Sequence, residues 1–295
     1  QLKHDVVVDA LRRIAKVDDI PVDPVVELPG VGYRTTVRAV VTDGVAGYRR
    51  GAAHDQVTVT ECLVTHPLVA HLLVHGRYPG AREVVLRCGA RTGERLAAPR
   101  PSSAPVEVPD DVRRDHIHEE VAGRRWRISA PSFFQVSPDG AEALVGLVAG
   151  AAGTPDTPGA TAVDLYSGVG LFAGAVAGLG WGVTAVEGQA AAVADAEVNL
   201  AADGVRVVRA DVSRWRPQPA DLVVADPSRA GLGREGVAVV TACAPRRVVL
   251  VSCDPAAMAR DIRLLASEGY RPLTVSPVDL FPHTFHVETV TVLDR

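Results

Sequence analysis

Residues 161–173 read T-A-V-D-L-Y-S-G-V-G-L-F-A, and this stretch decides the fold of the chain. Its first part, Thr161–Leu165, is a short apolar run of the β type, and a glycine turn joins it to a helix-like segment, 171–179. A strand, a tight turn and a helix in this order leave backbone N–H groups at the helix start facing an open crevice. Doubly wound sheets hold nucleotide-like ligands there, so the stretch predicts such a ligand site.

Downstream of the glycine turn, the sequence alternates between β-type runs and helical segments. The runs read V-T-A-V-E, V-R-V-V-R-A-D, D-L-V-V-A-D and R-V-V-L-V-S, and two further runs, 271–280 and 286–293, close the chain. Helical segments between the early runs imply a mostly parallel sheet with helices on both faces, closed by an antiparallel pair. We predict an α/β, Rossmann-like domain over residues 129–295.

The first part of the chain has a different pattern. Residues 5–16 have apolar side chains near helical spacing and predict one amphipathic helix. Short β-branched runs broken by Gly, Pro and Asp then alternate between apolar and polar positions, which is typical of half-exposed antiparallel strands. A second helix is predicted over Pro67–His75. We therefore predict a smaller α+β domain over residues 1–128, with arginines on the polar faces of its strands.

The composition limits where such a protein works. The chain has 295 residues, of which 47% are hydrophobic, and it contains no run of about 18 apolar residues that would predict a membrane span. Its first residues do not form a signal peptide, so the prediction is a cytoplasmic protein without a membrane partner. The net charge of −4 argues against a protein that coats polyanions generally. The chain begins with Gln1 rather than Met, which predicts a fragment whose natural N-terminus lies upstream.

Acidic residues end the predicted strands of the second domain. Asp164 ends the first strand, and Glu187 ends the second, 19 residues after Gly168. Asp211 and Asp226 end the third and fourth strands. The spacing of Glu187 fits a carboxylate that accepts hydrogen bonds from ribose hydroxyls, and Asp211 could accept from an exocyclic amine of adenine. Carboxylates in register along one sheet edge favour a nucleoside-type ligand.

The identity of that ligand depends on motifs further along the chain. Gly168 and Gly170 begin G-V-G-L-F-A, which fits the dinucleotide pattern but is weak by itself. A second strand that ends in Glu suits either NAD or S-adenosylmethionine. The segments D-P-S-R-A-G, beginning at Asp226, and S-C-D-P, beginning at Ser252, have no use in hydride transfer. They favour S-adenosylmethionine over NAD.

Cys253 lies between an apolar strand and a helical segment, 256–266. Asp254 is placed to cap that helix, and Pro255 suits its first position. A helix N-terminus lowers a thiol pKa, so we expect a reactive thiolate at Cys253. The other cysteines lack such a setting and are predicted to be structural; they are Cys62, Cys88 and Cys243. No two cysteines form C-x-x-C, which argues against a zinc ribbon or an iron–sulfur cluster in this chain.

Several motifs in order resemble one family over nearly the whole chain. D-L-Y-S-G-V-G, V-E-G, D-P-S-R-A-G, V-S-C-D-P-A and L-F-P-H-T-x-H-V-E are similar to segments of the RNA 5-methyluridine methyltransferases. Y-R-T-T-V-R and S-F-F-Q-V-S also resemble that family. The resemblance implies a class I methyltransferase fold, S-adenosylmethionine as the methyl donor, and a uridine in a loop of tRNA or rRNA as the substrate.

The resemblance also implies roles for individual residues. Cys253 would be the nucleophile that adds to C6 of uracil, and Glu288 the base that removes the C5 proton. The residues implied to hold the methyl donor are Gln135, Tyr166, Gly168, Gly170, Glu187, Asp211 and Asp226. From the residues alone, Gln135 beside two phenylalanines suits either ligand contact or core packing. Arg229 suits either RNA contact or pairing with Asp226.

Other interpretations are weighed against this one. His283 and His286 without further clustered ligands make a poor metal site, so no metal is predicted. An adenine amino-group methyltransferase would carry an aromatic residue where Ser228 and Arg229 stand. A non-catalytic or truncated RNA-binding homologue and, less favoured, an NAD-dependent dehydrogenase are the alternatives. A monomer is the expected state.

Overall fold

The N-terminal residues and the residues that directly follow them belong to different structural units. In a computed structural model, which describes residues 1–51 and 56–295, one unit consists of Gln1–Leu28 and Asp139–Arg295, and a second of Pro29–Pro138. This division differs from the domains drawn from the sequence, 1–128 and 129–295. The N-terminal helix belongs to the larger unit, and residues 129–138 belong to the smaller one.

The packing of the N-terminal helix explains this difference. Helix α1 (Leu2–Ala10) starts three residues before the predicted helix and continues into a π-helical turn, Leu11–Ala15. Val7 and Leu11 are buried with Met258 and Ile262 from the last helix of the chain. Each large side chain buried in this way contributes about 1.5–3 kcal/mol, so the segment is held by residues far from it in sequence.

The smaller unit is an antiparallel sheet with one helix against it. Its elements are β1 (Thr36–Thr42), β2 (Val45–Arg49), β3 (Gln56–Val57), α2 (Pro67–His75), β4 (Glu83–Cys88), β5 (Arg95–Arg100), β6 (His116–Val121) and β7 (Arg124–Ser129). The sheet order is β3-β2-β1-β4-β5, and β6 pairs with β7 separately. Val37 and Ala39 are buried whereas Arg38 is exposed, as the alternation predicts. The bounds predicted for α2 are confirmed.

The larger unit contains a seven-stranded sheet. Its helices are α3 (Pro138–Ala152), α4 (Leu171–Ala177), α5 (Ala190–Asn199), α6 (Gly233–Ala242) and α7 (Pro255–Ser267). Its strands are β8 (Thr161–Leu165), β9 (Gly182–Glu187), β10 (Arg206–Arg209), β11 (Leu222–Ala225), β12 (Arg247–Ser252), β13 (Arg271–Val278) and β14 (Glu288–Asp294). Their order is β10-β9-β8-β11-β12-β14-β13. The first five are parallel, and β14 is antiparallel to both neighbours.

This topology confirms the predicted α/β fold class. The parallel strands β8 and β11 lie at or next to the centre of the sheet, and all four residues of β11 are buried, as expected of a parallel strand that is covered on both faces. The carboxyl ends of the parallel strands meet at one edge, which in open α/β sheets is the ligand-binding edge. Within residues 1–51 and 56–295, we find no helix whose length and apolar character would allow it to cross a bilayer.

Candidate active site

The glycine turn after β8 has the backbone that the sequence predicts. Tyr166 adopts a left-handed conformation with φ of 62°, which is uncommon for a residue other than glycine. Gly170, the residue before α4, has φ of 94°, so a side chain at this position would be strained. Its N–H donates to the Ser167 carbonyl over 2.9 Å and closes the turn. The turn is therefore fixed by backbone geometry at the edge of the sheet.

Glu187 connects the end of β9 to this turn. Its Oε2 accepts a hydrogen bond from the Gly168 amide at 2.9 Å, and its Oε1 accepts one from the Gln189 amide at 2.6 Å. A carboxylate has about four acceptor positions, so each oxygen keeps capacity for a further donor. Glu187 is thus held beside the glycine turn, where the sequence expects a partner for ribose hydroxyls.

Asp211 lies slightly away from its predicted position. The third strand of the domain, β10, ends at Arg209, and Asp211 instead caps a 3₁₀ turn, Val212–Arg214. Its Oδ1 accepts hydrogen bonds from the amide and hydroxyl of Ser213, at 3.1 and 2.9 Å, and these bonds lower the pKa of the carboxyl. The prediction that Asp211 ends the strand is wrong, because its side chain accepts the hydrogen bonds that cap the following turn. It still lies near the end of β9, since a Cβ at Gly188 would be 3.7 Å from its Cα.

Tyr166 points towards the start of α6. A Cβ built at Gly236 would lie 3.2 Å from the tyrosine hydroxyl, and the half-buried ring packs against the core beneath α6. Burial raises the pKa of Tyr166, and the negative charges of Asp211 and Asp261 add to the shift. The role of Tyr166 in holding a methyl donor stays a prediction.

Gln135 belongs to the smaller unit. Its side chain is buried, and the next residue is held in place because the Val136 carbonyl accepts from the Thr35 amide at 2.8 Å. Arg87, which the sequence does not single out, is buried and donates to the carbonyls of Ser129 and Ser132 at 2.9 and 2.7 Å. The segment that carries Gln135 is therefore braced from within its own unit. Its role towards a ligand stays a prediction.

Asp164 is the most deeply buried carboxylate at this edge. Its side chain is 1% exposed, and neither oxygen makes a hydrogen bond of ordinary geometry with a described residue. Burial raises its pKa well above the usual range, and the charges of Asp226 and Glu187 add to the shift, while the nearby Ala173 amide opposes it. The sequence marks Asp164 only as a strand end, because its lack of partners depends on the packed structure.

We expect Asp164→Asn to stabilise the protein increasingly as pH rises. Because the pKa is raised in the folded state, the folded protein keeps a proton that the unfolded chain releases. Stability is therefore lost between the ordinary and the raised pKa, by about 1.4 kcal/mol for each pH unit. The neutral amide removes this loss. Urea unfolding at pH 5 and pH 8 should show a wild-type deficit that grows with pH.

Asp211→Asn is the matched control for this measurement. Its carboxyl is exposed and has a lowered pKa, so the substitution should slightly destabilise the protein above that pKa. The assignment of a raised pKa to Asp164 would be contradicted if the difference in stability between Asp164→Asn and wild type did not grow from pH 5 to pH 8.

Cys253 and Glu288 meet through the pairing of β12 with β14. The last pair of the register is Ser252 with Thr289, and Cys253 and Glu288 are the next residues beyond that pair. The charge of Glu288 acts on the Cys253 thiol, so the two side chains are neighbours. The cysteine is half-buried and the glutamate is 3% exposed. These residues are 35 positions apart in sequence, and only the antiparallel strand order brings them together. The two residues implied to carry the chemistry therefore lie at one place.

The expected low pKa of the Cys253 thiol is wrong for the protein without ligands. Burial raises the pKa to about 11, and the negative charges of Glu288 and Asp226 add to the shift, while Arg229 opposes it. Asp254 does cap α7, since its Oδ1 accepts from the Ala257 amide at 2.7 Å. The effect of that helix terminus is outweighed by loss of water and by two neighbouring carboxylates.

Glu288 itself has a pKa raised well above its usual range. Burial is the main cause, and the charge of Asp226 adds to it, whereas the guanidinium of Arg229 opposes it. Burial raises the pKa of Asp226 too. Two enclosed carboxyls that repel each other in their charged forms hold their protons more tightly than exposed carboxyls do, and such groups can act as general acids or bases.

Asp261 organises the loop that follows Asp226, although the sequence does not single it out. This buried residue of α7 accepts hydrogen bonds from the amides of Leu232 and Gly233 at 2.7 and 3.0 Å. Gly231 has φ of 81°, and a Cβ there would lie 2.4 Å from Asp261 Oδ2. The loop can close over Asp261 only with glycine at this position.

A strained left-handed residue costs about 1–3 kcal/mol, and we expect Gly231→Ala to destabilise the protein by more than this. The added methyl group would also displace the Asp261 carboxylate from its two amides. Gly233→Ala is the matched control, because Gly233 has φ of 59° and open space around its Cβ position. Urea unfolding of both variants separates the clash from the strain, and equal losses of stability would contradict the clash.

The remaining candidates are consistent with packing. Cys88 and Cys243 are buried free thiols, and Cys62 is a half-buried free thiol that accepts from the Thr65 hydroxyl at 3.0 Å. In the part of the chain that the structure describes, no three His, Cys, Asp or Glu side chains are grouped so that they could hold a metal ion.

Comparison with known proteins identifies relatives over the whole chain. An uncharacterized RNA methyltransferase of Streptomyces coelicolor is 35% identical, and the alignment covers 100% of this chain and 73% of the relative. An uncharacterized RNA methyltransferase of Streptomyces avermitilis is 34% identical, with coverage of 100% and 77%. No protein-family model matches the chain.

A solved structure has the same fold. It is the tRNA (uracil-54, C5)-methyltransferase of Pyrococcus abyssi in complex with S-adenosyl-L-homocysteine, with a TM-score of 0.76 and 24% identity. The superposition covers 99% of this chain and 82% of that protein. At 24% identity, this similarity shows a shared fold and no more.

Proposed function

The chain belongs to the RNA methyltransferase family, and we propose that it transfers a methyl group from S-adenosylmethionine to C5 of a uridine in RNA. The observation that carries this proposal is that Cys253 and Glu288 directly adjoin the last register pair of β12 and β14 and that each lies within reach of the other's charge or of that of Asp226. Methyl transfer to an amine or a hydroxyl needs no thiol. Methyl transfer to C5 of uracil needs both a nucleophile and a base, because this carbon is a poor nucleophile and carries a proton.

The chemistry follows from the two residues. The Cys253 thiol gives its proton to water, and its Sγ forms a bond with C6 of uracil, which moves the C5–C6 electron pair to C5 and O4. S-adenosylmethionine, when bound, supplies the electrophilic methyl group that C5 then accepts. Glu288 next removes the C5 proton, the electron pair of that C–H bond restores the C5–C6 double bond, and the C6–S bond breaks. Cys253 leaves as a thiolate.

The carboxylates at the sheet edge fit such a methyl donor. Asp164 offers buried oxygens that make no hydrogen bond of ordinary geometry with a described residue, and a cationic amino group would satisfy them. Glu187 keeps acceptor capacity for ribose hydroxyls beside Gly168. Asp211 lies next along the edge for the adenine amino group. The motif resemblance adds the remaining proposed donor contacts, which are Gln135, Tyr166, Gly170 and Asp226.

The substrate proposed is a uridine in a loop of tRNA or rRNA. A base inside a duplex cannot offer C6 to a thiol at the edge of a sheet, so the uridine must be unstacked. We propose that the smaller unit contributes to RNA recognition. Arg38, Arg82 and Arg100 are exposed along its sheet, and guanidinium groups suit phosphates and bases.

A labelled methyl donor tests this function directly. The protein is incubated with tRNA or rRNA and S-adenosylmethionine that carries a deuterated methyl group, and the RNA is digested to nucleosides for mass spectrometry. We expect the label in 5-methyluridine. Label in methyladenosine would contradict uracil-C5 chemistry, and RNA binding without any label would instead support a non-catalytic homologue.

A further inference from the structure

An apolar groove opens beside the proposed catalytic pair. It has a volume of about 460 Å³ and lies between the N-terminal helix, the start of α7 and Phe285. Val6, Ile14 and Pro255 are among its apolar lining residues. The volume falls in the range of about 300–1,000 Å³ that small-molecule sites occupy. A single nucleotide is therefore an occupant of suitable size.

Some residues that line the groove are close in sequence to the proposed catalytic pair. Asp254 and Pro255, which line it, directly follow Cys253, and Phe285 precedes Glu288 by three residues. An RNA strand that brings a uridine to these two residues must place a neighbouring nucleotide close by. Two sides of the groove are thus formed by the residues just after the nucleophile and just before the base.

Phe285 is an exposed aromatic residue on a braced loop. Its side chain is 77% exposed, and its ring lies 4.3 Å from the His286 ring, centroid to centroid. Lys3 of α1 donates to the carbonyls of Phe281 and His286 at 3.0 and 2.8 Å and also pairs with Asp279. The loop is therefore held against α1, while one large aromatic surface faces solvent.

Charged side chains of both signs lie at the groove, since Asp9, Arg13 and Asp254 line it. Arg12 and Arg13 both pair with the single carboxylate of Asp9, at 3.6 and 3.3 Å. The two guanidinium groups share the Asp9 carboxylate, while the Asp254 carboxylate accepts from the Ala257 amide as the cap of α7. A guanidinium group thus lies next to an apolar floor. Such an arrangement suits the phosphate and the base of one nucleotide, since aromatic side chains stack on bases and arginines contact the backbone.

We propose that this groove, with Phe285 as its stacking surface, binds the base of a nucleotide adjacent to the target uridine. The inference rests on the proposed function, because it takes RNA to be the substrate. It assigns a binding role to the N-terminal helix, which forms one wall of the groove and braces the loop through Lys3. It also assigns a stacking role to a residue that is exposed despite its large apolar surface.

A double-mutant cycle on protein and RNA tests the inference. Hairpin RNAs carry one loop uridine and, in turn, one abasic position on either side of it. Their dissociation constants are measured by fluorescence anisotropy for wild type and Phe285→Ala. We expect Phe285→Ala to weaken binding of the intact hairpin by about 5- to 150-fold, the range that loss of one stacked base produces. When the abasic position replaces the nucleotide that stacks on Phe285, the same substitution should not change the dissociation constant.

Matched variants separate stacking from other causes. Phe285→Trp keeps an aromatic face and should bind like wild type, whereas Phe285→Leu keeps apolar bulk and should bind like Phe285→Ala. Leu273→Ala is the control, because Leu273 is also partly exposed but lies at the opposite end of β13 from the catalytic edge. It should leave binding unchanged.

The outcomes distinguish the two proposals. Effects of Phe285→Ala that are equal for intact and abasic RNAs overturn the stacking site, even if 5-methyluridine is formed. A lower oligomeric state of Phe285→Ala with unchanged RNA binding overturns it in favour of a second copy of the chain in the groove. Failure of wild type to bind any RNA overturns both proposals. Coupled binding without methyl transfer supports the stacking site and removes only the proposed activity.

Discussion

Cys253→Ala is expected to abolish covalent capture of RNA and to lower methyl transfer by roughly 10⁴- to 10⁶-fold, the range seen when essential catalytic residues of covalent enzymes are removed. The reason is that Cys253 is the thiol that lies beside the proposed base, just beyond the last register pair of β12 and β14. The measurement uses RNA with 5-fluorouridine, in which fluorine replaces the hydrogen at C5. Because fluorine cannot leave as a proton does, the enzyme should stall after methyl transfer as a protein–RNA adduct. Denaturing gels and mass spectrometry detect the adduct.

Cys62→Ala is the control for this experiment. Cys62 is also half-buried and carries a free thiol, but it lies in the smaller unit and bonds to Thr65. Its variant should form the adduct at the wild-type rate. An adduct that persists in Cys253→Ala, or that maps to another cysteine, would contradict the assigned nucleophile. The melting temperature of each variant shows whether loss of the adduct reflects loss of the fold.

The local parts of this fold could be predicted from the sequence. The bounds of β8 and α2 follow from short-range patterns: an apolar run before a glycine turn, and Pro67 at the first position of a helix. The cap of α7 by Asp254 is likewise a contact within three residues. Such features depend on neighbouring residues, so one sequence contains enough information to place them.

The parts that could not be predicted depend on contacts between distant residues. Residues 5–16 predict a helix, but nothing in them shows that its apolar face is buried against α7. The bonds of Asp261 to the loop after Asp226 span 28 and 29 residues. The thiol pKa is a further example, because the helix start at Pro255 is visible in sequence, whereas Glu288 and Asp226 reach Cys253 only through the sheet order.

Glu288→Gln is expected to trap a covalent complex with RNA that contains ordinary uridine. If Glu288 removes the C5 proton, its loss should leave Cys253 able to add to C6 and C5 able to accept the methyl group, while release of the thiolate is blocked. Turnover should fall by about 10²–10⁴-fold, which is the usual contribution of a general base. Mass spectrometry of the gel-shifted species should show RNA that is attached to Cys253 and carries one added methyl group.

The Glu288→Gln variant is expected to stay folded, so its lower turnover would not reflect unfolding. Glu288 is buried and has a raised pKa, so the neutral glutamine removes a charge that is costly to bury and should give a melting temperature at or above that of wild type. Glu268→Gln, at an exposed position after α7, is the control and should turn over normally without an adduct.

The trapped complex also distinguishes two roles for Glu288. A variant that loses turnover and forms no adduct would show that Glu288 is needed before the addition to C6, for example to accept the thiol proton of Cys253. An adduct without the methyl group would place the need between addition and methyl transfer. Only a methylated adduct assigns Glu288 to the final proton removal. In that species the addition to C6 and the methyl transfer are complete, and only the removal of the C5 proton and the release of Cys253 remain.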